Sequence, residues 1–232
     1  MFVAEGVRVA GELVRASVPL EGVLVSQDAA NNPRVRAIRD AAAARGAEEA
    51  IVTETEFASA AATDAPQGVL AIGVVPDVTV ASLGADALAR VLVLDAVQDP
   101  GNVGTMIRTA AAFGARAVVA LPGTADPWNA KVVRGAAGGH FHVIVCSATL
   151  ESLTPALAAC GTPLWGADAA GAPLPSVTRP ARVALAVGNE GAGLTAALRV
   201  AVTATVALPM ASGVESLNVG VAAGVMMYEL FR

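Results

Sequence analysis

The amino-acid sequence predicts an α/β protein in two parts: a small α/β domain over residues 1–76 and a parallel-sheet domain over residues 91–232, joined by a linker at 77–90. From residue 91 onward, short runs rich in Val, Leu and Ala recur, and segments with helical periodicity separate most of them. This alternation is typical of a parallel sheet covered by helices on both faces. Aromatic residues make up only 3% of the chain, so aliphatic side chains that suit helices and strands must build the core.

The first part contains helix and strand signals in alternation. Residues 5–15 have the apolar periodicity of a helix. A second helix is predicted to open at Asn32-Pro33 and to run to Arg45. The other expected elements are a helix at 55–61 with a threonine N-cap, and strands at 23–25, 51–52 and 68–75.

The charge of the chain limits its partners. A formal net charge of −5 argues against long basic surfaces and tight non-specific nucleic-acid binding, but it allows a local basic patch. Four arginines lie close together in the first third of the chain: Arg34, Arg36, Arg39 and Arg45. No run of 18 or more apolar residues is free of charge, Gly or Pro, so no membrane span is expected. The first residues lack the features of a signal peptide, and we expect a cytoplasmic protein.

The cysteines and histidines predict neither a disulfide framework nor a metal centre. Cys146 and Cys160 are the only cysteines and are expected to be buried, apolar thiols. His140 and His142 are two residues apart and would point the same way on a strand. No further ligands follow them at a recognisable spacing, so no metal is expected.

Parallel sheets bind ligands beyond the carboxyl ends of their strands, so the residues after each apolar run are the first candidates for a site. After the run that starts at Val91, the chain has the sequence DPGNVGTMIR over residues 99–108, with Asn102 as the expected N-cap of a helix. Arg108 lies one turn beyond Gly104, and its small neighbours leave the guanidinium room to reach over the strand end. The alternative is an ordinary surface arginine.

A second candidate turn, GNEGAGLT over residues 188–195, follows the strand predicted at 183–187. Its three glycines let the backbone approach a ligand closely, and Glu190 places an acid in a sharp turn. A solvated glutamate in a glycine-rich turn is the alternative.

The same turn also matches the dinucleotide-binding pattern G-x-G-x-x-A at Gly191, Gly193 and Ala196. Glu215 lies at about the distance expected of a ribose-binding acid, but in a loop-like stretch. A nicotinamide-dependent enzyme is therefore a rival interpretation, although the pattern lies outside a leading βαβ unit.

A third polar turn follows the strand predicted at 204–208 and leads into the last helix. Ser216 or Asn218 is the expected N-cap of that helix. Gly220 and Gly224 lie about one turn apart on it, so they permit close helix packing, either within the chain or against another subunit.

Together the three turns resemble the motifs of the SpoU (TrmH-type) family of SPOUT RNA 2′-O-ribose methyltransferases. The family motif N-x-G-x-x-x-R corresponds to residues 102–108, and G-N/A-E-G-x-G-L corresponds to residues 188–194. The third motif, P-M followed by S-L-N-V, corresponds to residues 209–210 and 216–219. Residues 125–134 also resemble the family. The motifs occur in the expected order and spacing, which makes the resemblance specific.

The resemblance extends to the front of the chain. Residues 2–6 and 66–71 are similar to the RNA substrate-binding domain that often precedes this catalytic domain and that itself resembles a small ribosomal-protein fold. Relatives often carry a basic helix before the first of these segments. This chain is therefore expected to be either a short member or one whose true start is upstream.

The resemblance implies a deep trefoil knot, formed by the three motifs, in which S-adenosyl-L-methionine is bound. The backbone around Gly188, Leu208 and Leu217 would hold the adenosyl group. Neighbouring positions would complete the site: Asn189, Gly191, Pro209 and Met210. Relatives act as homodimers through the last helix, and the Gly220–Gly224 face fits that role.

The implied reaction moves a methyl group to a ribose 2′-oxygen of RNA. We expect Arg108 to stabilise the developing oxyanion and to clamp a phosphate, because a guanidinium stays protonated in proteins and is a poor general base. The identity of the base is left open. Four residues would orient Arg108, the nucleotide and the loops: Asn102, Glu190, Ser216 and Asn218. Ribosomal RNA is the favoured substrate; the alternatives are transfer RNA and a non-catalytic RNA-binding protein of the same fold.

Overall fold

The computed structural model describes residues 1–213 and 216–231, and its strands form two sheets. The first sheet contains β1 (Phe2–Glu5), β2 (Leu20–Ser26), β3 (Glu48–Val52) and β4 (Val69–Gly73). Strand β4 lies between β1 and β2 and is antiparallel to both, whereas β3 extends the sheet parallel to β2. Three helices accompany this sheet: α1 (Val7–Arg15), α2 (Pro33–Ala43) and α3 (Glu54–Ala60).

The predicted start of α1 was wrong. The helix begins at Val7 instead of residue 5, because the four residues from Phe2 to Glu5 pair with β4. Gly6 separates strand from helix with a φ of +90°, a backbone conformation that favours glycine. Once the helix begins, its buried positions follow the predicted periodicity, with Leu13 fully buried.

Local capping fixes the ends of α2 and α3. Helix α2 opens at Asn32-Pro33 as predicted, and Asn32 is its N-cap, since its Oδ1 accepts a hydrogen bond from Arg34 N at 2.9 Å. The helix ends at Ala43, short of the predicted Arg45. Helix α3 was expected to begin near residue 55, but Thr53 is its N-cap and forms a capping box with Glu56.

The second sheet contains six strands, all parallel, and confirms the predicted α/β architecture. They are β5 (Arg90–Leu94), β6 (Ala117–Ala120), β7 (Ile144–Ser147), β8 (Leu164–Pro173), β9 (Val183–Val187) and β10 (Ala204–Ala207). Their spatial order is β10–β8–β9–β5–β6–β7. The helices of this part are α4 (Pro100–Ala112), α5 (Ala130–Gly135), α6 (Leu150–Ala159), α7 (Ala196–Ala201) and α8 (Val219–Phe231).

Apolar layers cover both faces of this sheet. Along β5, Leu92 and Leu94 belong to the cluster that includes α4 and α8. Val91 and Val93, which point the other way, belong to the cluster that includes α6 and α7. All four side chains are fully buried. The strand therefore has the continuous hydrophobic run expected of a central parallel strand.

The predicted linker at 77–90 is packed against the larger sheet. It contains a short 3₁₀ turn, Val80–Ser82, and buries Val80 and Leu88 in the same apolar cluster as α6. Its mixed composition predicted a linker or domain-joining segment, and these two apolar side chains anchor it to the sheet. The exact division of the chain into domains at residues 76 and 91 stays a prediction.

An aromatic contact joins the two parts of the chain. The ring centroid of Phe2 lies 4.6 Å from that of Trp128, which lies 4.8 Å from that of His140. His140 sits in a 3₁₀ turn, not on a strand, and its Nε2 is 2.7 Å from the carbonyl oxygen of Pro127. Burial lowers its pKa to about 4, so the buried ring is neutral at neutral pH. His142 is exposed and lies 3.6 Å from Glu12 of α1.

Two of the four arginines that lie close together in the sequence have structural partners. Arg39 forms an ion pair with Glu49, and Arg45 donates hydrogen bonds to the carbonyl oxygens at the end of α1. Arg34 and Arg36 are exposed. Among the described residues, no helix has both the length and the apolar character needed to cross a bilayer.

The two thiols are free. Cys146 is buried, and burial raises its pKa, whereas Cys160 is half-buried.

Candidate active site

A cavity of about 200 Å³ opens beyond the carboxyl ends of β9 and β10, beside residues 167–169 of β8. Its walls combine the turn after β9, the turn after β10 and the first residues of α8. Five of the seven residues predicted to hold a cofactor line it: Gly188, Asn189, Leu208, Met210 and Leu217. Gly191 and Pro209 do not. Of the residues predicted to act in catalysis, Glu190 and Ser216 line it.

A chain of hydrogen bonds connects all three predicted motifs at the rim of this cavity. Asn218 Nδ2 donates to Asn102 Oδ1 at 3.0 Å, and Asn102 Nδ2 donates to Glu190 Oε1 at 2.6 Å. Asn218 Oδ1 in turn accepts from the backbone N–H groups of Gly220 and Val221 at the start of α8. The fold therefore joins three side chains that are far apart in sequence.

The structure corrects the role expected of Asn102. Helix α4 begins at Pro100, and Asp99 is its N-cap, with Asp99 Oδ1 accepting from Gly101 N at 2.9 Å. Proline at the first helical position favours that start. Asn102 therefore lies inside the first turn, where its amide is available to bridge Glu190 and Asn218. Capping of α8 by Asn218, one of two alternatives, is confirmed.

The turn after β9 is shaped by its own backbone. Asn189 and Gly193 form a two-way hydrogen-bonded bridge, and Asn189 Oδ1 accepts from Gly191 N and Ala192 N. A Cβ atom on Gly188 would collide with the backbone of Gly193. The tight turn itself therefore requires a glycine at position 188. The sequence had suggested a different reason, namely that glycines let the backbone approach a ligand closely.

Two carboxylates near the cavity were not predicted. Asp95, at the end of β5, is only 2% exposed and accepts hydrogen bonds from Thr195 N at 2.6 Å and from Thr195 Oγ1 at 3.2 Å. This pair fixes the start of α7 to the central strand. The only signal in the sequence was an acid placed directly after an apolar run.

The second unpredicted carboxylate, Asp168, lines the cavity itself. Its Oδ1 accepts from Ala170 N at 3.0 Å, and its Oδ2 forms an ion pair with Arg199. The hydrogen bond from Ala170 is the largest cause of a lowered pKa, and Arg199 contributes in the same direction. Asp168 therefore stays ionised at neutral pH. Arg199 offsets the charge of Asp168, so the negative charge available to a cationic ligand at the cavity comes from Glu190, whose partner Asn102 is neutral.

Arg108 stands apart from the cavity. It is exposed on α4, and within residues 1–213 and 216–231 its guanidinium forms no hydrogen bond or ion pair. Gly139 packs against its backbone, since a Cβ atom there would lie 2.8 Å from Arg108 Cα. The structure thus leaves this guanidinium free, and its catalytic role stays a prediction. Glu215, part of the rival dinucleotide pattern, lies outside the described residues.

The glycines of α8 face the chain's own α4. A Cβ atom on Gly220 would lie 3.5 Å from Thr105 Cγ2, and one on Gly224 would lie 3.2 Å from Thr109 Cγ2. The glycine face is therefore a helix–helix contact within the chain, which was one of the two alternatives. The apolar side chains that α8 exposes are different ones: Val221, Val225 and Tyr228.

Comparison with known proteins is consistent with this geometry. RlmP of Bacillus subtilis, a 23S rRNA (guanosine(2553)-2′-O)-methyltransferase, is 42% identical over 181 residues, which are 78% of this chain and 71% of that protein. RlmB of Xanthomonas campestris, a 23S rRNA (guanosine-2′-O-)-methyltransferase, is 40% identical over 150 residues, or 64% of this chain and 60% of that protein.

Solved structures and family profiles cover more of the chain. The AdoMet-bound rRNA methyltransferase from Sinorhizobium meliloti superposes with a TM-score of 0.87 at 28% identity, over 99% of this chain and 86% of that one. The profile of the MRM3-like substrate binding domain matches residues 1–71. The profile of the SpoU rRNA Methylase family matches residues 89–228, more than half of the chain, and this chain belongs to that family.

Proposed function

We propose that this chain, an S-adenosylmethionine-dependent RNA 2′-O-methyltransferase of the SpoU family, acts on ribosomal RNA. RlmP and RlmB, both named as 23S rRNA methyltransferases, support this substrate. Transfer RNA is the alternative substrate. The observation that carries the proposal is the hydrogen-bond chain from Asn218 through Asn102 to Glu190, which holds three family motifs together beside one cavity.

The cavity suits the cofactor in shape and in charge. Leu208, Leu217 and Met226 provide apolar wall for an adenine ring, and the tight turn at Gly188 offers backbone groups at its edge. The carboxylate of Glu190, which has only a neutral partner, favours the positive charges of a sulfonium and an ammonium group. S-adenosylmethionine, when bound, supplies an activated methyl group.

We assign to Arg108 the contact with the 2′-oxygen of the ribose that is methylated. Methyl transfer requires the 2′-oxygen to lie in line with the bond that breaks, and it requires the hydroxyl proton to leave. A guanidinium beside that oxygen stabilises the developing negative charge and can hold a neighbouring phosphate. Asn102 lies on the same helix, so the network through Glu190 and Asn218 fixes that helix relative to the cavity. We assign Ser216, which lines the cavity, to positioning the loop before α8.

The remaining parts of the proposal concern the whole chain. We assign residues 1–76 to RNA binding and residues 91–232 to catalysis, with 77–90 between them. The segments that surround the cavity would form the knot that is typical of the family. The exposed apolar side chains of α8 would pair with a second copy of the chain, and the protein would act in the cytoplasm.

The test uses purified protein, labelled S-adenosylmethionine and unmodified transcripts of ribosomal and transfer RNA. We expect 2′-O-methylation of the large-subunit transcript, with Arg108→Ala reducing the rate at least about 100-fold while S-adenosylhomocysteine still binds. Because Arg108 is exposed and forms no side-chain bonds in the described residues, the variant should fold normally. Methylation of transfer RNA alone would overturn the assignment of substrate, and a fully active Arg108→Ala would overturn the role of the arginine.

A further inference from the structure

A cleft of about 250 Å³ lies where the N-terminal part of the chain meets the end of α5. We call it the junction cleft. Arg8 of α1 and Gln67 of the loop before β4 line one side, and Arg134 and Ala137 line the other. The junction cleft is therefore built by both parts of the chain.

We propose that the junction cleft binds a phosphate and the adjoining nucleotide of the RNA substrate, next to the ribose that is methylated. The proposal rests on the function proposed above. It adds a second contact point for RNA, on side chains that none of the three motifs includes.

The two arginines of the cleft are free to bind an anion. Arg8 and Arg134 are both exposed, and in the described part of the chain neither guanidinium forms an ion pair or a hydrogen bond. Helix stability does not account for Arg8, because it lies in the first turn of α1, where the helix dipole disfavours a cation. A guanidinium from each side of a cleft can grip phosphate oxygens through paired hydrogen bonds.

The polar neighbours of the arginines leave the cleft with a net positive charge. Gln67 Oε1 accepts from Val7 N at 2.9 Å, which holds the side chain in place and leaves its NH₂ group to donate to a ligand. Glu5 also lines the cleft, but its carboxylate already accepts from Ala62 N at 3.0 Å and from the hydroxyl of Thr63. Two arginines against one occupied carboxylate favour an anionic ligand.

The cleft lies close to the proposed ribose site. Ala137 lines the cleft, and Gly139, two residues further on, packs against the backbone of Arg108. Two residues span at most about 7 Å of chain. A strand of RNA that places a ribose at Arg108 can therefore reach the cleft with a neighbouring nucleotide. This proximity favours RNA over an unrelated anion as the occupant.

The test measures binding of an unmodified large-subunit ribosomal RNA transcript by Arg8→Ala, Arg134→Ala and the double variant at several salt concentrations. We expect each single variant to bind about tenfold more weakly, as removal of a charged hydrogen bond predicts. The slope of log affinity against log salt should fall by about 0.7 for each phosphate that the variant no longer neutralises. The affinity for S-adenosylhomocysteine and the thermal midpoint should not change.

Two further variants separate the cleft from general charge and from folding. Arg179→Ala removes an exposed arginine from the loop before β9, outside the cleft and outside the part assigned to RNA binding, and should leave RNA binding unchanged. Gln67→Glu keeps the acceptor for Val7 N but replaces the NH₂ donor with a negative charge, so it should weaken RNA binding without loss of stability.

The outcomes distinguish this proposal from the proposed function. Wild-type affinity in both arginine variants, with methylation intact in the wild type, would overturn the cleft alone. An equal loss in Arg179→Ala would also overturn it, since the effect would then be one of net charge. If the wild type methylates no RNA but its binding depends on Arg8 and Arg134, the cleft is supported and the proposed reaction fails.

Discussion

Asn218 performs two tasks with one side chain. Its Oδ1 accepts from Gly220 N at 3.0 Å and from Val221 N at 3.2 Å, which caps α8. Its Nδ2 donates to Asn102, which carries the link onward to Glu190. The first task concerns stability and the second concerns the site. An aspartate at this position would keep the acceptor and lose the donor, so the two tasks can be separated.

We expect the free energy of unfolding of Asn218→Asp to lie within about 0.5 kcal/mol of the wild-type value, because a carboxylate caps a helix and suits its positive end. Asn218→Ala should lower the free energy of unfolding by about 1 kcal/mol, because alanine cannot cap the helix. Both variants should methylate RNA about tenfold more slowly than the wild type, since both lose the bond to Asn102. This reduction in rate should be smaller than the one expected for Arg108→Ala. Denaturant unfolding and initial rates measure the two effects. Full activity in Asn218→Asp would mean that this asparagine only caps the helix.

The sequence could predict which side chains meet at the site only where a motif marked them, and the catalytic roles of those side chains stay predictions. The motifs singled out Asn102, Glu190 and Asn218, although the capping role given to Asn102 was wrong. Asp95 was missed because its partner Thr195 is 100 residues away, and no spacing in the sequence connects a buried acid to a distant backbone N–H. Such pairings depend on the order of strands in the sheet, and local patterns in the sequence do not predict that order.

At the scale of elements, the contact between α4 and α5 depends on a single glycine. A Cβ atom on Gly104 would lie 2.7 Å from the carbonyl oxygen of Val132 and 3.0 Å from the Cα of Gly135. The obstacle is backbone, which cannot rotate aside as a side chain does. The glycine of the first motif therefore sets how closely these helices approach, and it positions the helix that carries Asn102 and Arg108.

We expect Gly104→Ala to lower the free energy of unfolding by about 2 kcal/mol, as overpacking between rigid groups does. Gly101→Ala on the same helix is the matched control, because its Cβ would lie 3.4 Å from the Asp99 side chain, an ordinary contact. That change should be neutral or should stabilise by up to about 1 kcal/mol through helix propensity. Urea unfolding of both variants compares them directly. Equal stabilities would show that the helices can move apart freely.

Elements with a clear apolar signal were predicted better than those without one. The runs that became β5 and β9 are fully buried, and their positions were evident from the sequence. Strand β8 was expected only at 164–166, yet it extends to Pro173. The additional residues are mostly Ala, Gly and Pro, and pairing with β10 after a register shift keeps them extended. Tertiary pairing, and not local pattern, defines that strand.

At the scale of the whole molecule, His140 makes stability depend on pH. Burial lowers its pKa from 6.5 to about 4. Above pH 6.5 both the folded and the unfolded chain hold it neutral, so it has no effect. As the pH falls below 6.5, only the unfolded chain takes up the proton, and the free energy of unfolding decreases until the folded chain also titrates near pH 4.

We expect this residue to remove about 3 kcal/mol of stability between pH 6.5 and 4. His140→Gln keeps a donor for the carbonyl of Pro127 and cannot titrate, so most of that loss should disappear. His142→Gln changes the exposed neighbouring histidine, and this variant should show the same loss of stability at low pH as the wild type. Denaturant unfolding at a series of pH values gives the comparison. Parallel curves for wild type and His140→Gln would contradict the assignment.

The proposed dimer depends on the surface that α8 leaves uncovered. Val221, Val225 and Tyr228 are about half exposed along one side of the helix, and they border a groove with Phe113 and Thr109 of the α4 region. The rings of Phe113 and Tyr228 meet edge to face at 5.5 Å. Exposed apolar side chains grouped in this way are typical of an interface between subunits. Because α4 also carries Asn102 and Arg108, a partner seated here would brace the helix of the proposed active site.

We expect Val225→Glu to weaken self-association at least about 100-fold, because a carboxylate would be buried without a partner at the centre of this surface. Val200→Glu is the control, since Val200 is 88% exposed on α7, away from the groove. Sedimentation at a series of protein concentrations measures both variants against the wild type. The Val225→Glu monomer should still bind S-adenosylhomocysteine, because Val225 does not line the cavity, but it should methylate RNA more slowly as α4 loses its brace. A wild-type chain that sediments as a monomer at all concentrations would exclude this surface as a subunit interface.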